Sequence, residues 1–123
     1  MLDILKEENI DFIVLAGFLW LVPAKIIDTY KNRIVNIHPA LLPSYGGKGM
    51  YGSRVHKAVI DNGESWSGIT IHGVNEIYDD GDIIFQARCR VEPGDNADSL
   101  AEKIHLLEYE HYPAVIKGLI EKL

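Results

Sequence analysis

A chain of 123 residues, 47% hydrophobic and 24% charged, has the size and composition of one globular domain or part of one. Its net charge of -6 argues against a nucleic-acid binder, which carries a clustered basic face, and no run approaches the ~18 consecutive apolar residues of a membrane span. The opening residues lack the basic and apolar regions of a signal peptide, and the lone Cys89 cannot form an internal disulfide, so a cytoplasmic protein is expected.

Residues 2 to 8 read as an amphipathic helix, with Leu2 and Leu5 apolar and Lys6, Glu7 and Glu8 polar. Asp11 to Gly17 is a short apolar run of the kind that forms a strand buried on both faces, which needs neighbours on each side. An opening of helix then central strand therefore suggests a partial domain, 1-123 being the carboxy-terminal part of a larger one. Pro23 suits the first turn of a helix running through Tyr30. Arg33 to Ile37 reads as a second buried strand, stopped by His38-Pro39. Ser44 to Gly52 holds four glycines and is expected as a flexible, exposed loop.

Ser53 is placed to cap a helix reaching about Asn62, with Gly63 as its terminator. Ser67 to Val74 alternates as a strand does, with Ile69, Ile71 and Gly73 on one face and Thr70, His72 and Val74 on the other. A turn at Tyr78 to Gly81 leads into a returning strand from Asp82 to Val91, and Glu92 to Asp95 makes another turn. From about Ala97 to Ile120 a long helix is expected, with Leu100, Ile104, Leu107, Val115 and Leu119 on its apolar face. Pro113 should kink or split it. Trp66 is read as strand-edge packing and Cys89 as a buried, inert thiol. No repeat or linker divides the chain.

Strands alternating with helices, then two successive strands, predict an α/β fold whose sheet is mostly parallel and mixed at one side. Ligands of such sheets bind beyond the carboxyl ends of strands, which points to Gly17 to Val22 and Asn36 to Pro39. Alternation sets Asn36 and His38 on one face. An amide that can meet a developing oxyanion, beside an imidazole that can carry a proton near neutral pH, suits acyl transfer. A carboxylate from Asp79 or Asp80 would orient the ring and favour its charged form. No serine or cysteine stands in a nucleophile motif. The five histidines match no common zinc-ligand spacing, so no metal is expected.

Asn36-Ile-His38-Pro39-Ala-Leu-Leu-Pro43, Gly68-Ile-Thr-Ile-His72 and Tyr78-Asp-Asp-Gly81-Asp-Ile-Ile-Phe-Gln86 together resemble the folate-dependent formyltransferases, in order and in approximate spacing. His38-Pro39, Gly94-Asp95 and Glu108-Tyr-Glu-His-Tyr-Pro113 are closer to the branch that acts on glycinamide ribotide than to the methionyl-tRNA formyltransferases or the formyltetrahydrofolate hydrolases. Those two enzymes, and a non-catalytic folate-binding fragment, are the alternatives. The resemblance runs from Asp11 to about Leu119 and implies a three-layer, Rossmann-like fold with its amino-terminal half missing.

It also implies roles. Asn36 would bind the formyl oxygen, His38 would be the general acid, and Asp79 would hold His38 protonated and order a water. Leu19, Trp20, Leu21 and Val22 would contact the pteridine of 10-formyltetrahydrofolate, the co-substrate, with Leu15 and Phe18 supporting the pocket and Asn75 to Asp79 closing over the ring. Pro39 and Glu108 would bind phosphoribosylglycinamide, Glu108 through the ribose hydroxyls. No covalent enzyme intermediate is implied. The family's glycine-rich phosphate turn is not found in this chain, and the Tyr45 to Gly52 loop, longer than the usual connection, lacks a phosphate-loop pattern. The chain alone is therefore expected to be impaired, and an open sheet edge predicts self-association.

Overall fold

The computed structural model describes residues 12–16, 24–30, 33–47, 50, 52–74 and 82–122. Strand β1 (Ile13–Ala16), helix α1 (Ala24–Thr29) and strand β2 (Ile34–His38) come first. Helix α2 (Gly52–Asp61), strands β3 (Trp66–Gly73) and β4 (Ile83–Arg90) and helix α3 (Ala97–Glu121) follow. The four strands form one sheet in the order β1-β2-β3-β4. β1 runs parallel to β2, while β2-β3 and β3-β4 are antiparallel.

The sheet among the described residues is mixed, as the sequence suggested, but with a single parallel pair where most pairs were expected to be parallel. The reason is the pair of long successive strands at β3 and β4. Only residues 74–82 separate them, fewer than the dozen or so that a crossover to a parallel neighbour needs, so they pair antiparallel.

The apolar alternation decides which face is filled. Val35, Ile37, Ile69 and Ile71 cluster with Val55 and Val59 of α2 and with Leu100, Ile104 and Tyr112 of α3. Ile69, Ile71, Leu100 and Ile104 are wholly buried, each contributing about 1.5–3 kcal/mol of apolar transfer. A smaller cluster on the opposite face joins Ile26 and Tyr30 to Ile34, with Ile13 and Leu15 beside them. Helices therefore cover both faces.

β1 departs from expectation. It alternates between half-buried and exposed, Val14 being 42% exposed, because it is the outermost of the described strands and only its Ile13 and Leu15 side is covered.

The helix ends follow the sequence except at Ser53, which lies within α2 and does not cap it, because that helix already begins at Gly52. Gly63 adopts φ +66, which lets its N–H reach the Ile60 carbonyl and the Glu64 N–H reach that of Val59. That pair of bonds closes α2 as a Schellman turn. At the start of α3, Ser99 N–H donates to Asn96 Oδ1 and Asn96 N–H to Ser99 Oγ, both at 2.9 Å, a reciprocal cap. Pro113 does not split α3, which is continuous to Glu121. Both Pro113 and Tyr109, whose carbonyl loses its helical donor there, are exposed, so water can satisfy that carbonyl.

Candidate functional site

Residues that face one another across paired strands share a face of the sheet. Leu15 of β1 is level with Asn36 of β2, which is level with His72 of β3; His38 is level with Thr70, and Thr70 with Gln86 of β4. One side of the sheet therefore presents Asn36, His38, Thr70, His72 and Gln86, opposite the face filled by α2 and α3. All but Gln86 are buried. Such a density of polar groups is costly unless each finds a partner.

Most do. The Thr70 hydroxyl donates to Ala40 O at 2.7 Å, and it accepts from Leu42 N–H at 3.0 Å and from Gln86 Nε2 at 2.9 Å. Gln86 also donates to Leu42 O. This network fixes the segment just after His38, which contains Pro39 and a cis Leu42-Pro43 bond. That segment returns Tyr45 to the histidine: His38 Nε2 lies 2.7 Å from the Tyr45 carbonyl oxygen. His72 Nδ1 donates to Gly73 O at 2.8 Å.

Asn36 is not fully paired. It is 8% exposed, and its Oδ1 has no hydrogen-bond partner among the described residues. Leaving a buried amide oxygen unpaired costs about 1–3 kcal/mol. A half-turn of the amide exchanges Oδ1 and Nδ2 without changing its shape, so the same position can offer a donor to a bound carbonyl.

Glu108 lies on α3 one turn before Tyr112, whose hydroxyl donates to Leu15 O at 2.6 Å. The long helix is thereby held against the strand level with Asn36. Burial raises the Glu108 carboxyl pKa, partly offset by His105. Burial also raises the Tyr112 phenol pKa, and Glu108 adds to this. On α2, buried His56 has its pKa lowered by desolvation first, then by His105 and His38, so three imidazoles sit within electrostatic reach of one another. Among the described residues no three histidine, cysteine or acidic side chains gather closely enough to hold a metal ion.

Of the residues singled out by sequence, Leu15, Asn36 and His38 lie on this face and Pro39 just beyond it, whereas Glu108 is on α3, which packs against the opposite face. Phe18, Leu19, Trp20, Leu21, Val22, Asn75 and Asp79 lie outside the described residues, as do Asp80 and Lys48. The glycine-rich segment differs from its expected exposure. Tyr45, Gly46, Gly47 and Met50 are half-buried, Tyr45 and Met50 packing against the core.

Thr70, Tyr45 and Gln86 were not singled out. The period-2 pattern placed Thr70 on the histidine's face, but its bonds are made to residues 28 and 30 positions away. Cys89 is half-buried, with its pKa raised by that burial. Trp66 opens β3 at 42% exposure, with the Arg88 guanidinium 4.4 Å from its ring centre.

The formyl transferase family profile matches residues 1–116, and the chain belongs to that family. Within it, the chain is 44% identical over 122 residues to the chloroplastic phosphoribosylglycinamide formyltransferase of Arabidopsis thaliana, covering 99% of this chain and 42% of that protein. It is 36% identical over 119 residues to the phosphoribosylglycinamide formyltransferase of Haemophilus influenzae, covering 97% of this chain and 54% of that one. The crystal structure of the Bacillus halodurans phosphoribosylglycinamide formyltransferase superposes with a TM-score of 0.88 at 39% identity, over 98% of this chain and 60% of that chain. The chain thus spans roughly half the length of the relatives it matches. No described helix is long and apolar enough to cross a membrane.

Proposed function

We propose that this chain carries the formyl-transfer residues of a phosphoribosylglycinamide formyltransferase and takes 10-formyltetrahydrofolate as donor and phosphoribosylglycinamide as acceptor. The observation that carries the reading is the buried Asn36 amide, unpaired at Oδ1 among the described residues, two positions from His38 on the polar face. Residues two apart on a strand lie ~6.7 Å apart, which lets both side chains address one small group.

The chemistry is direct. The acceptor amine attacks the formyl carbon, and the carbonyl electron pair moves to oxygen, where the Asn36 amide meets the growing charge. The bond from carbon to the donor nitrogen then breaks. That nitrogen takes a proton and the attacking amine gives one up, with His38 carrying the proton between them. No covalent enzyme intermediate forms.

Asp79 is assigned to orient His38 and favour its charged form. That assignment rests on the resemblance, Asp79 being the first aspartate of the Asp-Asp-Gly turn.

Glu108 is assigned to the ribose hydroxyls and Pro39 to the glycinamide end. Leu15, Phe18, Leu19, Trp20, Leu21, Val22 and Asn75 are assigned to the pteridine pocket. The outer edge of β1, with exposed Val14, is assigned to pairing between copies; a single monomeric species across a concentration series in sedimentation velocity would remove that assignment.

The test of the reaction is formyl transfer, measured for this chain alone and mixed with the part of the Bacillus halodurans relative that it does not match. Asn36→Ala should lower the rate of the active sample on the order of 10²–10³-fold. No transfer by any combination would sink the proposal.

A further inference from the structure

We infer that Tyr45 is the positioning residue for His38: its carbonyl oxygen, presented from a left-handed backbone, holds the Nε2 proton of the neutral ring, so that the proton exchanged in formyl transfer is the one at Nδ1. The reasoning begins with hydrogen-bond chemistry. A carbonyl oxygen has lone pairs and no hydrogen, so a ring nitrogen 2.7 Å from it must be the one that carries the proton. The neutral imidazole is then the Nε2–H form, and gain or loss of the second proton occurs at Nδ1. In the charged ring both nitrogens donate and the bond to Tyr45 is kept, so the ring need not turn between its two states.

The surroundings over-determine Tyr45. Its φ of +58 lies in the left-handed region, which costs a residue with a side chain about 1–2 kcal/mol. That conformation is held from three sides. The Thr70 and Gln86 bonds fix the chain at Ala40 and Leu42. The Tyr45 ring packs against the core, and its hydroxyl accepts from Asn62 Nδ2 at 3.0 Å, at the end of α2. Without these a left-handed tyrosine would relax and withdraw its carbonyl. Strain kept at such a place is what a site that needs one ring orientation would show. The role of Nδ1 rests on the formyl-transfer reading above; the proton on Nε2 does not.

The experiment is a nitrogen-15 spectrum of the histidine rings of the full 123-residue chain without substrates, in which the two ring nitrogens are distinguished by their couplings to the ring carbons' protons. The neutral His38 ring should show its proton on Nε2 alone, visible as a slowly exchanging signal at neutral pH. Tyr45→Gly, which accepts positive φ but lacks the ring and hydroxyl, should lose that slow exchange and acquire some Nδ1–H form. Tyr45→Phe, which keeps the ring packing, should retain the Nε2–H form.

A neutral His38 protonated on Nδ1 would overturn the inference, as would Nε2–H protection in Tyr45→Gly equal to that of the parent. Either outcome leaves the proposed reaction standing. Absence of transfer would remove the reaction without moving these signals.

Discussion

Thr70 stands directly opposite His38 across the β2-β3 ladder, and its hydroxyl is bonded to the backbone two and four residues beyond that histidine. A side chain on one strand thus sets the path of the chain leaving its neighbour. The consequence is testable by Thr70→Val, which keeps the shape and removes the hydroxyl. Ala40 O and Leu42 N–H lose this partner, so the variant should be about 2 kcal/mol less stable in urea unfolding. A change under a few tenths would show that the network is not needed.

Gly68 gives a physical reason for the first residue of the Gly68 to His72 motif. A Cβ there would collide with the Ala87 carbonyl oxygen and lie 2.9 Å from Arg88 Cα and 2.8 Å from the Leu41 side chain. Two of the three obstacles are backbone of β4 and cannot step aside. Gly68→Ala should therefore cost about 3 kcal/mol or prevent folding, read from the urea midpoint or from loss of dispersed amide signals. A fully stable variant would mean that the β3-β4 spacing is not what the register requires.

Glu108 should make stability fall as pH rises. An ordinary glutamate titrates near ~4.3 in the unfolded chain, and burial raises the folded value. Between those two values the folded chain holds a proton that the unfolded chain has released, so each step up in pH favours unfolding, and above both the penalty is complete. Glu108→Gln should accordingly be more stable than the parent at pH 7 and indistinguishable from it below pH ~4. If Glu108 binds ribose, the same variant should bind phosphoribosylglycinamide more weakly. Equal urea midpoints at pH 7 would contradict the burial argument.

Asp95 should act in the opposite direction. Its carboxyl is held down to about 2, first by the Lys103 ammonium, then by Glu92 N–H and the Ser99 hydroxyl. A depressed carboxyl contributes stability that is present above its unfolded value of ~3.9 and is lost as pH falls through about 2. Asp95→Asn should lower the urea midpoint at pH 7 and have no effect near pH 2. An equal effect at both ends would assign the loss to packing.

What the sequence made legible was local or periodic. The turn at Glu92 to Asp95 places the start of α3, Gly63 ends α2, and a two-residue period puts Asn36 and His38 together. Glu108 looks like any solvated helix residue, and only the likeness to formyltransferases singled it out. The Thr70 and Tyr45 contacts were hidden because each depends on a backbone atom brought back by a loop, and no residue pattern encodes a carbonyl's direction. The two successive strands made a mixed side legible, but the reversal between β2 and β3, which α2 separates in the chain, was not, because a helix between two strands leaves their relative direction open.

The central claim is that Asn36 and His38 receive the formyl group of a folate donor. Its most direct measurement is titration of the isotopically labelled chain with 10-formyltetrahydrofolate, following the Asn36 side-chain amide and the His38 ring by nuclear magnetic resonance. The account predicts saturable shifts that are largest at those two side chains and absent around Phe12 and Leu119, at the other end of the sheet. No saturable binding, or shifts confined to that other end, would contradict it.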